Sequence, residues 1–173
     1  MTIKVLVAYA TKNWSTAEIA RTISEVLCKE GLEAELRRMP DVGDVLAYDA
    51  FVLGSALYAG RWHKDARRFV RRSARALAGT PVWLFSSGPL DASAAERDIP
   101  PVPAVRRALI RLDAREHVTF GGCLKEGAKG RVARMIIRTG QGGDFRDFEQ
   151  ITTWAQHIGA TLRGESTARQ EGP

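Results

Sequence analysis

Apolar residues recur along this chain in two rhythms, unbroken runs and helical repeats, and the two alternate. "IKVLVAYA" (Ile3 to Ala10) is almost continuously apolar, the pattern of a strand buried on both faces. From Ser15 to Leu27 the apolar positions Ile19, Ile23, Val26 and Leu27 follow three- and four-residue steps, which predicts an amphipathic helix that stops near Gly31. "DAFVLGSALY" and "TPVWLFSSGPL" are further doubly buried runs. Between them Ala66, Phe69, Val70, Ala74 and Leu77 mark the apolar side of a second helix. A Pro-rich loop (Pro100, Pro101, Pro103), a short helix from Val105 to Leu112 and a last strand in "HVTFGGCL" follow. The closing helix runs from about Asp147 to Leu162, carried by Phe148, Ile151, Trp154, Ala155 and Ile158.

One segment breaks the rule. In "LEAELRRM" Leu32, Ala34 and Leu36 alternate with Glu33, Glu35 and Arg37, so only one face is buried and the strand belongs at a sheet edge. Strands alternating with helices call for a parallel sheet covered on both faces. An edge strand second in sequence suits the doubly wound order 2-1-3-4-5, a five-stranded α/β domain. Nothing marks a second domain. Residues 1–162 form the expected unit, and Arg163 to Pro173, with almost no apolar content, is expected to be a disordered tail.

In such sheets ligands bind beyond the carboxyl ends of the strands, where the strand order reverses. Three loops meet there. The first holds Thr11, Lys12, Asn13, Trp14, Ser15 and Thr16 and opens a helix, so free N–H groups, the positive dipole end and several hydroxyls suit an anion. The same residues would also serve as an ordinary helix cap. The second, Leu57, Tyr58, Ala59, Gly60, Arg61 and Trp62, sets two aromatics around a glycine, as walls for a flat ring. The third, Ser86, Ser87, Gly88 and Pro89, is a tight turn with hydroxyls. Together they indicate a mononucleotide with a planar head. There is no GxxxxGK[ST] and no GxGxxG after the first strand. The late "GQGGD" (Gly140 to Asp144) reads as a flexible loop before the last helix, with Asp144 or Asp147 as its cap.

Charge adds a second feature. The net is +6, and from Arg61 to Arg75 seven basic residues face Asp65 alone, so this one segment carries as much net charge as the chain. Such a face suits anionic lipid, an acidic partner or nucleic acid, or is a plain solvated helix face; no nucleic-acid motif accompanies it. Cys28 and Cys123 are expected to be buried, inert thiols, and the three histidines show no metal spacing. No apolar run has the length of a membrane span and no signal-peptide pattern opens the chain, so the expected location is the cytoplasm, with a peripheral membrane contact through the basic face as an option.

The stretches "VAYATKNWSTAEIA", "GSALYAGRWHKDARRFV", "LFSSGPL" and "GGDFRDFEQITTWA", in this order from Val7 to Ala155, resemble the flavodoxins. Within them the chain is most similar to the flavodoxin-domain group of the menaquinone-dependent protoporphyrinogen oxidase. The resemblance implies FMN, with its phosphate at Thr11, Asn13, Ser15 and Thr16 and its ring flanked by Tyr58, Gly60 and Trp62 with Ser87 and Gly88. It implies no catalytic acid or nucleophile, since the flavin carries the redox chemistry. The function it implies is an FMN-dependent oxidoreductase passing electrons to a quinone-type or protein acceptor. The alternatives are an FMN electron carrier and a module that has lost tight FMN binding. The chain departs from the family at Trp14, where glycine is usual. Glycine allows positive φ and close backbone approach, which Trp takes only with strain, so either the loop shifts and the indole points outward over the ligand or phosphate binding is weakened.

Overall fold

The computed structural model describes residues 2–88, 93–124, 135, 138 and 143–172. Five parallel strands make its sheet: β1 (Lys4–Ala10), β2 (Glu33–Arg38), β3 (Ala50–Tyr58), β5 (Val82–Ser87) and β6 (Glu116–Phe120), ordered β2-β1-β3-β5-β6. This is the expected 2-1-3-4-5 order. A short β4 (Arg61–Trp62) folds back antiparallel on β3, pairing Leu57 with Trp62 and Tyr58 with Arg61.

Successive side chains of a strand point to opposite faces, so the continuous apolar runs feed two cores. On one side Val5, Val7, Val52, Trp83, Phe85 and Phe120 pack under α1 (Trp14–Lys29) and the closing helix α5 (Phe148–Gln170). On the other, Leu6, Ala8, Phe51, Leu53 and Leu84 pack under α2 (Lys64–Ser73) and α4 (Pro103–Arg111); a one-turn α3 (Ser93–Glu96) precedes α4. The alternating segment is the edge strand β2, with no fully buried residue, registered against β1 from Lys4–Glu33 to Tyr9–Arg38.

Four local expectations need correction. The chain beyond Leu162 is helical: α5 continues to Gln170. Polar contacts replace the missing apolar ones, since Arg163 donates to Glu30 O and pairs with its carboxylate, and Glu165 takes a forked contact from Arg115. Cys28 is exposed, because it lies one residue past Leu27 and so turns about 100° off the buried stripe of α1. Cys123 is half-buried. The "HVTFGGCL" run stops as a sheet strand at Phe120; Cys123–Leu124 forms β7, which pairs antiparallel with β8 (Gly143–Asp144). The end of the glycine-rich run is therefore a paired strand. Gly121 permits this return, since a Cβ there would lie 1.9 Å from Phe145 O. Asp147 caps α5, accepting from Glu149 N at 3.0 Å and Gln150 N at 3.1 Å. No helix among the described residues is long and apolar enough to cross a membrane.

Candidate functional site

The three loops at the carboxyl ends of β1, β3 and β5 are held together by direct contacts. Tyr58 Oη accepts from Lys12 N at 2.8 Å, and Lys12 Nζ lies 5.1 Å from the Tyr58 ring centre, joining the first loop to the second. Trp62 Nε1 donates to Ser86 Oγ at 2.8 Å, joining the second to the third. Leu57 packs over Gly88, where a Cβ would come within 2.9 Å of Leu57 Cδ1. Gly88 N in turn donates to Phe120 O at 3.1 Å.

The first loop is shaped by Thr11, whose Oγ1 accepts from Asn13 N at 3.1 Å and donates to Asn13 O at 2.6 Å. Its hydroxyl thus builds the turn. The Asn13 side chain makes no cap bond to α1, and the first turn of the helix carries no acidic residue. Thr16 is fully buried, and its Oγ1 has no hydrogen-bond partner among the described residues. An uncapped helix start with orphan donors and an unsatisfied buried hydroxyl suits an anionic group.

Trp14 does not strain this loop. It is the first residue of α1, absent from the positive-φ positions, and its side chain is 79% exposed. Of the two outcomes expected at this position the outward-facing indole is the one seen, with an unstrained backbone because the helix begins one residue earlier than its apolar repeat indicates. Positive φ occurs instead in the second loop, at Ala59 (φ 49°) and Gly60 (φ 72°). With Leu57–Trp62 and Tyr58–Arg61 paired on either side, these two residues form a two-residue hairpin turn of the type that needs positive φ twice.

The expected ring walls divide. Tyr58 is half-buried beside the first loop, edge-on to His63 with ring centres 5.9 Å apart. Trp62 is 3% exposed and packs in the second core, so it anchors the hairpin and does not wall an open cleft. Lys12, Ala59, Gly60 and Arg61 are exposed around the mouth; Ser86 and Ser87 are buried at the end of β5, and Pro89 lies outside the described residues.

Two site-side groups were not legible in the sequence. His117 on β6 places Nε2 2.8 Å from Ser86 Oγ, extending the Trp62–Ser86 bond, while its buried Nδ1 has no partner among the described residues. Burial pushes this imidazole down to about 4. Arg146 reaches back from the chain's last segment to α1 with a side chain only 3% exposed. Nε and Nη2 each lie 2.8 Å from the Asp144 carboxylate, and Nη1 donates to Glu18 Oε2 at 2.7 Å and Ser15 O at 3.3 Å. The Asp144 carboxylate first, and then Glu18, outweigh burial and raise its pKa further. Its signal was the "DFRD" spacing, with carboxylates two before and one after, but the Glu18 contact spans 128 residues.

Comparison with known proteins agrees with this geometry. The family model described as "Flavodoxin domain" matches residues 6–141. No curated protein matches the chain. Among solved structures, oxidised Flavodoxin 2 from Bacillus cereus superposes with TM-score 0.60 at 23% identity, over 92% of this chain and 99% of that one. A flavodoxin from the domain Archaea gives 0.64 at 11% identity, over 93% and 99%. Rubredoxin oxygen:oxidoreductase from Desulfovibrio gigas gives 0.62 at 14% identity; 93% of this chain is covered, but it spans only 36% of that one. At these identities the structures establish the fold, and the sequence model establishes the family. The chain belongs to the flavodoxin family, whose domains bind FMN and transfer electrons.

Proposed function

We propose that this protein is an FMN-dependent oxidoreductase resembling protoporphyrinogen oxidase, taking electrons from an organic donor and passing them to a quinone-type acceptor. The observation that carries the reading is the joined cluster of three loops, with an uncapped helix start on one side and the Tyr58 hairpin on the other. FMN, when bound, supplies the hydride and electron chemistry. The chain's residues bind and orient it. Amides and hydroxyls of Ser15 and Thr16 would receive the phosphate, with Asn13 beside them and Thr11 holding the turn. Tyr58, Ala59 and Gly60 would edge the ring, with Leu57, Ser87 and Gly88 behind. Ser86 and Trp62 would brace that wall from the core. Arg61 and Lys12, both cationic and exposed at the mouth, favour an anionic reduced flavin, within the limits of solvent screening.

The basic composition supports an acceptor at an anionic surface. Arg61, Lys64, Arg67, Arg68, Arg71 and Arg75 are all exposed and start at the hairpin itself. A peripheral contact with anionic lipid through this ridge would bring the flavin loops near a membrane-dissolved quinone.

Titration of the apoprotein with FMN, followed by quenching of flavin fluorescence, tests the binding step. Saturable quenching is expected, and its absence would overturn the reading. The loaded protein, given protoporphyrinogen and a menaquinone analogue, is then expected to turn over. Bound FMN without turnover would favour the second reading, a flavodoxin-type electron carrier; its cationic surface would require an acidic partner.

A further inference from the structure

We infer that Arg146 is a positioning residue for the phosphate end of FMN, acting by neutralising the Glu18 carboxylate next to the start of α1. The inference rests on the FMN reading above. Glu18 lies about one helical turn from the Thr11–Thr16 loop, close enough for its charge to oppose a dianionic phosphate held there. Arg146 Nη1 meets that carboxylate at 2.7 Å and also takes Ser15 O at 3.3 Å, so the guanidinium touches both the opposing charge and the backbone of the cradle. Asp144 fixes the other edge of the fork through two 2.8 Å bonds.

The design is specific to arginine. Its planar fork saturates Asp144 with Nε and Nη2 and still leaves Nη1 for α1; a lysine ammonium would have to choose. Phe148 covers the guanidinium, 5.0 Å from the ring centre to Cζ, and helps keep solvent from the cluster. Removing the guanidinium would uncover the Glu18 carboxylate beside the start of α1. The chain's last segment thereby sets the electrostatics of its first loop.

The test compares FMN with riboflavin, which lacks the phosphate, by fluorescence-quenching titration of the full chain. Arg146→Met is expected to weaken FMN about five- to tenfold, the size of one newly uncovered charge acting on a nearby dianion, and riboflavin by less than about twofold. Adding Glu18→Gln is expected to restore most of the FMN affinity, and raising the salt to narrow the gap. Equal weakening of both ligands, or no rescue, would show a general structural role and overturn the inference. Should Arg146→Met fail to fold by circular dichroism, Glu18→Gln alone decides, because Glu18 is half-exposed on the surface of α1. That variant is expected to tighten FMN by about two- to threefold with riboflavin unchanged, and an unchanged FMN affinity would overturn the inference. Wild-type protein that binds neither ligand would remove the FMN reading and this inference together. Wild type that binds both, with variants that follow it, would remove this inference alone.

Discussion

Two residues of the candidate-site loops exchange the roles their types suggest. Trp14 occupies a position where glycine would be expected for its backbone freedom, yet it sits in an ordinary helical conformation with its indole in solvent. Ala59 is an unremarked alanine, yet it holds φ 49° in the hairpin turn. Strain therefore resides at Ala59. Ala59→Gly is expected to raise stability by about 1 kcal/mol, read as a higher urea midpoint with unchanged slope, because the left-handed region costs an L-residue about that much. Trp14→Gly is expected to leave FMN affinity within about threefold while lowering stability by about 0.5–1 kcal/mol through the weaker helix start. A clear gain in FMN affinity would restore the view that Trp14 obstructs the cradle. These outcomes also show what a sequence conceals at this scale. Residue type indicates which conformations are cheap, but backbone position along a turn is fixed by neighbours such as Thr11, whose two bonds to Asn13 start the helix early.

Elements were more legible than residues. Unbroken apolar runs located β1, β3 and β5 because burial on both faces leaves no polar position, and alternation located the edge strand β2. The closing helix was underestimated because its last turns rest on ion pairs with Glu30 and Arg115, distant partners that periodicity does not register. The polar seam between β5 and β6 escaped for the same reason, since Ser86 and His117 meet only through sheet register. That seam makes the fold acid-sensitive. His117 is neutral when folded down to a pH of about 4, whereas the unfolded imidazole titrates near 6.5. Its contribution is thus full above pH 6.5 and declines as pH falls toward 4, by about 3 kcal/mol in all. Burial lowers His63 in the same direction. Denaturant melts at pH 7, 6 and 5 are expected to show this decline, and His117→Gln is expected to flatten it. Equal slopes in the two proteins would exclude His117 as the source.

At the scale of the molecule, charge is sorted by sheet face. The helices α2 and α4 share one face; their exposed cations are the Lys64–Arg75 series with Arg106, Arg107 and Arg111, and Ile110 stands 72% exposed among the latter. The α1 and α5 face mixes both signs, with Glu18, Glu30 and Glu165 engaged by arginines. Cosedimentation with vesicles rich in anionic lipid is expected to bind the protein at low salt and release it as salt rises. Glutamine at Arg67 and Arg71 is expected to weaken binding by about 1 kcal/mol each. Equal sedimentation with neutral vesicles would exclude an electrostatic contact. The total charge was plain from composition, but its segregation required knowing which helices share a face.

The pairing of Cys123–Leu124 with Gly143–Asp144 also governs how the chain's last segment lines up with its first helix. It sets Gly143 beside Leu124, and Phe145 N then donates to Gly122 O at 2.9 Å. Side chains alternate along a strand, so the register of this pair fixes which way Asp144 faces, and a slip of one residue would turn it to the other side. Asp144 holds Arg146 by two 2.8 Å bonds, and Arg146 reaches Glu18 and Ser15 O. A two-residue strand pair thus acts as a gauge that aligns the end of the chain with its beginning.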